Sequence, residues 1–401
     1  MRSIVVLALI TAISLFGDSM LYVVLPIHWK DVGLISLIEV GILLSANRFI
    51  RLPLGPVIGW LYQKLSIRSG VLIAVCIAAV TTFLYGWVEG FYLWLLLRCV
   101  WGIAWSFLRL GAYFMILENS DSSNRGHFMG TYNGLYRLGS LVGMLVGSIG
   151  VEMFGIQVVA SIFGLLALIT LPAVYIFVPH VKGHQESKGE PIAKREIMKI
   201  PMLQGTLLTV FLVAMCLEGM LTATLSHLIE MRHQVNITFY EIVIGSATVA
   251  GALQAVRWGL GSFLSPWFGR LSDRKWGRRR LLIGLLGLAA LLIAITNTEI
   301  PYGLWLLNIL ILLIVANLLS TIMDALASDI TVGATRAFIM TLYVMMADVG
   351  ASMGPLLGYV SEHFIGISMT YWISAAILVM LGLAWFISGR RGVGKDLSVQ
   401  G

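Results

Sequence analysis

Twelve stretches of mostly apolar residues follow one another along this chain, each close to the ~20 residues that a helix needs to cross a bilayer. They run from Ile4 to Ile27, Leu37 to Leu61, Val71 to Val88, Phe91 to Leu117, His127 to Gly150, Ile156 to Val178, Met202 to Ile229, Ile242 to Phe268, Leu281 to Thr296, Tyr302 to Leu326, Ala337 to Val360 and Ile365 to Ile387, and are numbered spans 1 to 12. Hydrocarbon offers no partner to a backbone N–H or C=O, so these stretches read as helices, which satisfy those groups internally. Of the 401 residues, 58% are apolar and 12% charged, against about 25% charged in a soluble domain. That is too little polar surface to clothe a water-soluble fold, and it excludes disordered chains, disulfide scaffolds and nucleic-acid modules. Cys76, Cys99 and Cys216 lie within apolar runs without metal or disulfide spacing and read as small hydrophobes, so no metal site is expected. The first stretch is too long for a signal-peptide core, lacks a small-residue cleavage site, and is expected to remain as a helix.

Lysine and arginine placement orients the chain. With both termini cytoplasmic, 19 of the 27 basic residues fall on the inner side and only Lys30 and Arg232 on the outer side. The net charge of +7 is therefore mainly a topological address. The long polar stretch from Pro179 to Pro201 reads as a solvated linker at the cytoplasmic membrane surface rather than a nucleic-acid contact. It divides the chain into a first six-helix bundle (residues 1–178), a linker (179–201), a second bundle (202–388) and a cytoplasmic tail (389–401).

The two halves repeat each other. At an offset of 211, Glu118 falls on Asp329, Arg125 on Arg336, Tyr132 on Tyr343, Arg137 on Asp348, and Gly139, Gly143 and Gly147 on Gly350, Gly354 and Gly358. At an offset of 210, Pro56, Gly59, Lys64 and Arg68 fall on Pro266, Gly269, Arg274 and Arg278. Parallel six-helix repeats with a site near the midplane are an architecture of secondary transporters. The connector after span 8 contains Gly269, Asp273, Arg274, Gly277, Arg278, Arg279 and Arg280, a nearly complete copy of a G-x-x-x-D-R-x-G-R-R signature with one extra residue before the second glycine, and here the chain resembles the major facilitator superfamily. The equivalent connector after span 2 is degraded, with Gln63 at the acidic position and Ser66 at the second glycine. Arg98 and Gly102 match the R-x-x-x-G arrangement of proton-linked members, and Gly350, Gly354, Pro355 and Gly358 resemble the antiporter motif of the drug-efflux branch, displaced from span 5 to span 11.

The resemblance implies an all-α membrane fold of 12 helices in two pseudo-symmetric six-helix bundles. It also implies that Asp273 latches its loop against the neighbouring half; the surrounding arginines alone would serve equally as inner-face anchors. The small-residue stripes of spans 5 and 11 read as close helix packing, which is compatible with a moving seam.

A charge at the bilayer centre costs about 2.5 kcal/mol or more, so such residues face the bundle interior and pair or do work. Ten such candidates are Arg48, Arg51, Arg98, Arg109, Arg137, Arg257, Asp18, Glu218, Asp324 and Asp348. On span 4, Arg98, Trp101, Trp105 and Arg109 recur on one helical face with Tyr113 just beyond, a stripe suited to an anionic or aromatic ligand as well as to packing. Asn47, Arg48 and Arg51 on span 2, Asn133 and Arg137 on span 5, and Gln254 and Arg257 on span 8 complete the candidate substrate cavity. The superfamily arrangement would bring Arg48 or Arg51 towards Asp348 as a gating ion pair. It would also bring Arg137 towards Arg257, two like charges that call for a carboxylate between them. Asp18, Glu218 and Asp348 are the proton-coupling candidates: an unpaired buried carboxylate takes up protons near neutrality, whereas one paired with arginine stays ionised and structural. Asp324 reads as a boundary residue.

Gly17-Asp18-Ser19-Met20 resembles an esterase block but lies within a helix without catalytic partners, and no phosphate-binding loop, dinucleotide fingerprint or H-E-x-x-H occurs. We therefore expect no enzyme and no cofactor. The expected protein is a monomeric alternating-access transporter of the cell membrane, exchanging protons for an amphiphilic or anionic small molecule that it exports, with lipid as its surroundings and no nucleic-acid partner. Uptake of an organic anion or metabolite and lipid flipping are the alternatives.

Overall fold

The computed structural model describes residues 2–119, 125–181, 201–233, 236–239, 242–271, 277–330 and 336–396. Helices account for nearly all of them, and they follow the apolar runs in order. Span 1 is built by Arg2–Ser14 and Phe16–His28, span 2 by Leu37–Phe49 and Arg51–Lys64, span 3 by Ile67–Leu84 and span 4 by Phe91–Asn119. Spans 5 and 6 share Arg125–Ile169, with Leu171–Phe177 completing span 6. Span 7 is Pro201–Val213, a π-helical turn Ala214–Met220 and Leu221–His233; spans 8 to 12 are Ser246–Leu271, Arg278–Thr296, Tyr302–Ile330, Arg336–Ile365 and Ile367–Asp396. By length and composition, nine helical stretches among the described residues can cross a membrane, one of which, His127–Phe177, holds both span 5 and span 6.

Glycine separates those two spans. Gly155 has φ +80°, and Gly366, 211 residues later between spans 11 and 12, has φ +81°. This left-handed backbone is costly for residues with a Cβ, so the same break recurs at the same place in each half.

Local capping sets other boundaries. Ser36 accepts from the Glu39 amide at 3.3 Å while Glu39 reaches back to the Ile35 amide at 2.8 Å, which fixes the start of span 2. The degraded signature connector builds a turn of its own: Ser66 is extended and its hydroxyl caps span 3 through the Ser69 amide at 3.1 Å. Its counterpart Gly277 takes φ +71° before span 9. Between spans 7 and 8 the structure departs from the sequence reading. Residues Ile242–Gly245, expected to open span 8, instead form a strand paired antiparallel with Asn236–Phe239, and the helix begins at Ser246. The β-branched Ile-Val-Ile run favours the strand.

The chain groups into two compact units, Met1–Lys188 with Thr222–Gly259, and Gly189–Leu221 with Leu260–Gly401. In the first, the glycine stripe of span 5 lies on span 1: a Cβ at Gly139 would strike the Ala12 backbone, at Gly143 the Phe16 backbone and at Gly147 the Met20 side chain. In the second, Gly350 approaches the Phe211 backbone, and Gly354 the backbone of Met215, Gly219 and Met220. Pro355 follows within the helix of span 11, and Gly358 is buried. A similar cation–ring contact occurs in each half: Arg68 lies 5.0 Å over the Tyr175 ring, and Arg279 5.7 Å over the Trp385 ring.

Candidate functional site

In the first unit the polar residues of spans 1, 2 and 4 converge on Asp18. This carboxylate, 5% exposed, is ion-paired with Nη1 of the fully buried Arg98. Arg98 Nε donates to the Leu43 carbonyl at 3.0 Å, and Asn47 Nδ2 donates to Asp18 at 2.5 Å. Asn47 passes the chain on, its Oδ1 accepting from Arg51 Nη2. Three helices thus meet in one charge-assisted network, where each buried polar group must find such a partner to offset its desolvation. Asp18 is the paired kind of buried carboxylate, a distinction the sequence alone leaves open.

Arg51 carries the network to the aromatic stripe. Its guanidinium lies 5.8 Å from the Trp101 ring and 5.3 Å from the Trp105 ring, and these indoles stack on each other at 6.1 Å with an interplanar angle of 12°. Trp105 also meets Tyr136 edge to face at 5.5 Å. The indole N–H groups of Trp101 and Trp105 are buried and have no acceptor among the described residues. The stripe is graded: Arg98, Trp101 and Trp105 are buried, whereas Arg109 and Tyr113 are exposed.

Tyr22 belongs to the site although its sequence context drew no attention. One turn beyond Asp18 on span 1, it accepts from Arg48 Nε at 3.1 Å, and its ring underlies the guanidinium groups of both Arg48 and Arg98, at 5.7 and 5.9 Å. The i, i+4 spacing from Asp18 was the available signal.

The arginines of spans 5 and 8 meet around Trp258. Arg137 lies 5.6 Å and Arg257 5.2 Å from that ring, and Arg257 is buried, bonding Thr222 at 3.2 Å and Gln254 at 3.4 Å. Asn133, a turn before Arg137, is half-buried. Glu152 also escaped the sequence reading: its carboxylate accepts from the Gly245 amide at 2.8 Å, the Thr248 amide at 3.0 Å and the Thr248 hydroxyl, closing the N-terminus of span 8 from span 5.

The second unit holds the other carboxylates. Glu218 lies in the π-helical turn of span 7, and Tyr343, within electrostatic reach of it, donates to Asp324 at 2.7 Å. Asp348 is half-buried on span 11. In the signature loop, Gly269 ends within the span 8 helix, Arg278 pairs with Asp329, and Asp273 and Arg274 lie outside the described residues. No group of three metal-ligating side chains occurs among the described residues.

The family profile of the Major Facilitator Superfamily matches residues 7–262 and 237–399. The chain belongs to the Major Facilitator Superfamily. Among its superfamily relatives, a multi-drug resistance efflux pump PmrA homolog of Lactococcus lactis is 28% identical over 70% of this chain and 68% of that protein. The staphyloferrin B transporter of Staphylococcus aureus is 26% identical over 66% of this chain and 63% of that protein. The fold is also that of a bacterial homolog of the human lysosomal transporter Spinster (TM-score 0.79, 15% identity, 97% of this chain and 96% of that one) and of the nucleoside transporter NupG (0.76, 15%, 96% and 99%). As a Major Facilitator Superfamily transporter, the chain is a multi-pass membrane protein, and its relatives and fold are those of transporters.

Proposed function

We propose that this transporter exchanges protons for an amphiphilic, anionic small molecule, which it exports as a monomer by alternating access. It does so across the cell membrane, with both termini cytoplasmic as the lysine and arginine asymmetry directs. The observation that carries this reading is the buried Asp18–Arg98 pair with Asn47 and Arg51. While Arg98 lies against it Asp18 stays ionised; a repacking of spans 1, 2 and 4 that draws Arg98 away leaves the unpaired kind of carboxylate that a proton neutralises, so paired and protonated forms are alternative packings of these spans. Such an element couples proton occupancy to conformation. Glu218 in the π-helical turn supplies a second carboxylate for the same cycle, π-turns being frequent at functional sites. The substrate class follows from Arg137, exposed beside the half-buried Trp258 ring, a place for an aromatic body with a negative group. Export accords with a relative described as a multi-drug resistance efflux pump homolog.

Reconstituted vesicles test it. An imposed proton gradient is expected to drive counter-movement of an aromatic anion such as 1-naphthoate, and Glu218→Gln to abolish that movement; Asp18→Asn, which leaves Arg98 uncompensated, is expected to abolish it too, and is read at a temperature where its thermal unfolding shows it folded. Gradient-independent movement, or full activity in both variants, overturns the coupling.

A further inference from the structure

Around Trp258 the first unit gathers hydrogen-bond donors and positive charge. Arg137 from span 5 and Arg257 from span 8 both place their guanidinium groups against this indole, at 5.6 and 5.2 Å, so the two cations stand no more than about 11 Å apart. A guanidinium presents its N–H donors in a planar fork that matches a carboxylate. Arg257 spends Nη1 on Thr222 Oγ1 and Gln254 Oε1. That contact also orients Gln254: with its oxygen turned to Arg257, its amide Nε2 is a donor, wholly buried and without an acceptor among the described residues. A buried amide donor of this kind is rare in folded proteins and calls for an acceptor from elsewhere. Arg257 and Gln254 are buried while Arg137 is exposed, so the cluster runs from the interior to an open side.

We propose that Arg137, Arg257 and Gln254, held around Trp258, form the subsite that receives the carboxylate of the transported molecule. This rests on the reading that the chain moves small anions and deepens it by naming the group recognised and the residues that recognise it. An anion at this ring is attracted by both guanidinium groups at once. The Gln254 amide adds a neutral donor that a carboxylate oxygen accepts and an ammonium group does not. The subsite is distinct from the Asp18 network: it lies on spans 5 and 8 and contains no carboxylate of its own set of three.

Binding to the full-length protein in detergent tests this without transport, using 1-naphthoate, its uncharged amide 1-naphthamide and the cation 1-naphthylmethylammonium as probes. Naphthoate is expected to raise the melting temperature and to bind measurably more tightly than either analogue. Arg137→Gln, at an exposed position, is expected to weaken naphthoate affinity by about ten- to a hundredfold, the loss of a charge-assisted hydrogen bond. Gln254→Glu, which keeps the side-chain volume but adds a competing carboxylate, is expected to abolish naphthoate binding and is checked for folding by its own melt. Arg257→Lys keeps the charge without the fork and is expected to lie between. Equal binding of acid and amide, no naphthoate binding, or unchanged affinity in the Arg137 and Gln254 variants overturns the subsite. Carboxylate binding that depends on these residues, with no proton-driven movement in vesicles, retains the subsite and rejects the coupling. Proton-driven movement of the cationic probe, with naphthoate unbound, does the reverse.

Discussion

Asp18 on span 1 and Arg98 on span 4, eighty residues apart in the chain, form an ion pair in which the arginine is wholly buried and the aspartate 5% exposed. Removing one member leaves the other as an uncompensated charge, at a cost of about 3–5 kcal/mol. Asp18→Leu is therefore expected to destabilise the protein strongly, and Asp18→Leu with Arg98→Leu to recover much of that loss. Thermal unfolding in detergent measures both. A double variant less stable than either single one would show that the pair supplies more than mutual neutralisation.

The contact of Arg51 with the stacked Trp101 and Trp105 makes a second measurable coupling. A double-mutant cycle with Arg51→Gln and Trp105→Leu is expected to return about 0.5–2 kcal/mol of interaction energy, the range for a cation over an indole. Additive effects in unfolding experiments would show that the Trp105 ring contributes nothing to holding the guanidinium.

Glu152 holds the start of span 8 through two amides and a hydroxyl. Glu152→Ala leaves these donors unmatched, a local loss of about 1–3 kcal/mol. Hydrogen exchange at the Gly245 and Thr248 amides is expected to accelerate about tenfold or more, with Glu152→Gln intermediate because it keeps an acceptor oxygen. Unchanged exchange in the alanine variant would mean that the cap contributes nothing to order there.

The glycines of span 5 are not equivalent. At Gly139 a Cβ would collide with the Ala12 backbone, whereas at Gly134 nothing lies within 4 Å of that position. Gly139→Ala is expected to destabilise by about 1–3 kcal/mol through overpacking, and Gly134→Ala to be neutral or stabilising by up to about 1 kcal/mol through helix propensity. Melting of the two variants side by side decides it, since they share helix and substitution.

Much of this architecture was legible in the chain. The apolar runs located the helices, and the 211-residue repeat anticipated paired features such as Gly139 with Gly350. The strand at Ile242–Gly245 was missed because a short run of β-branched residues reads equally as the edge of a membrane helix. Tyr22 and Glu152 were missed for another reason. Tyr22 lies one turn from Asp18, a spacing that marks a shared face but no role, and Glu152 stands at a helix edge; only the approach of Arg48, Arg98 and Thr248 from other helices defines what they do.

Hydrophobicity and basic-residue placement act locally, through transfer of each segment from water to lipid, so sequence suffices to number the spans and expose the repeat. Which buried charges neutralise each other is a matter of distance between helices, and no local signal carries it. The sequence presented Asp18 as either a free proton carrier or half of an ion pair; packing of spans 1, 2 and 4 placed Arg98 and Asn47 against it. The same holds for Arg137 and Arg257, whose meeting at Trp258 exists only once span 5 and span 8 stand side by side in the first unit.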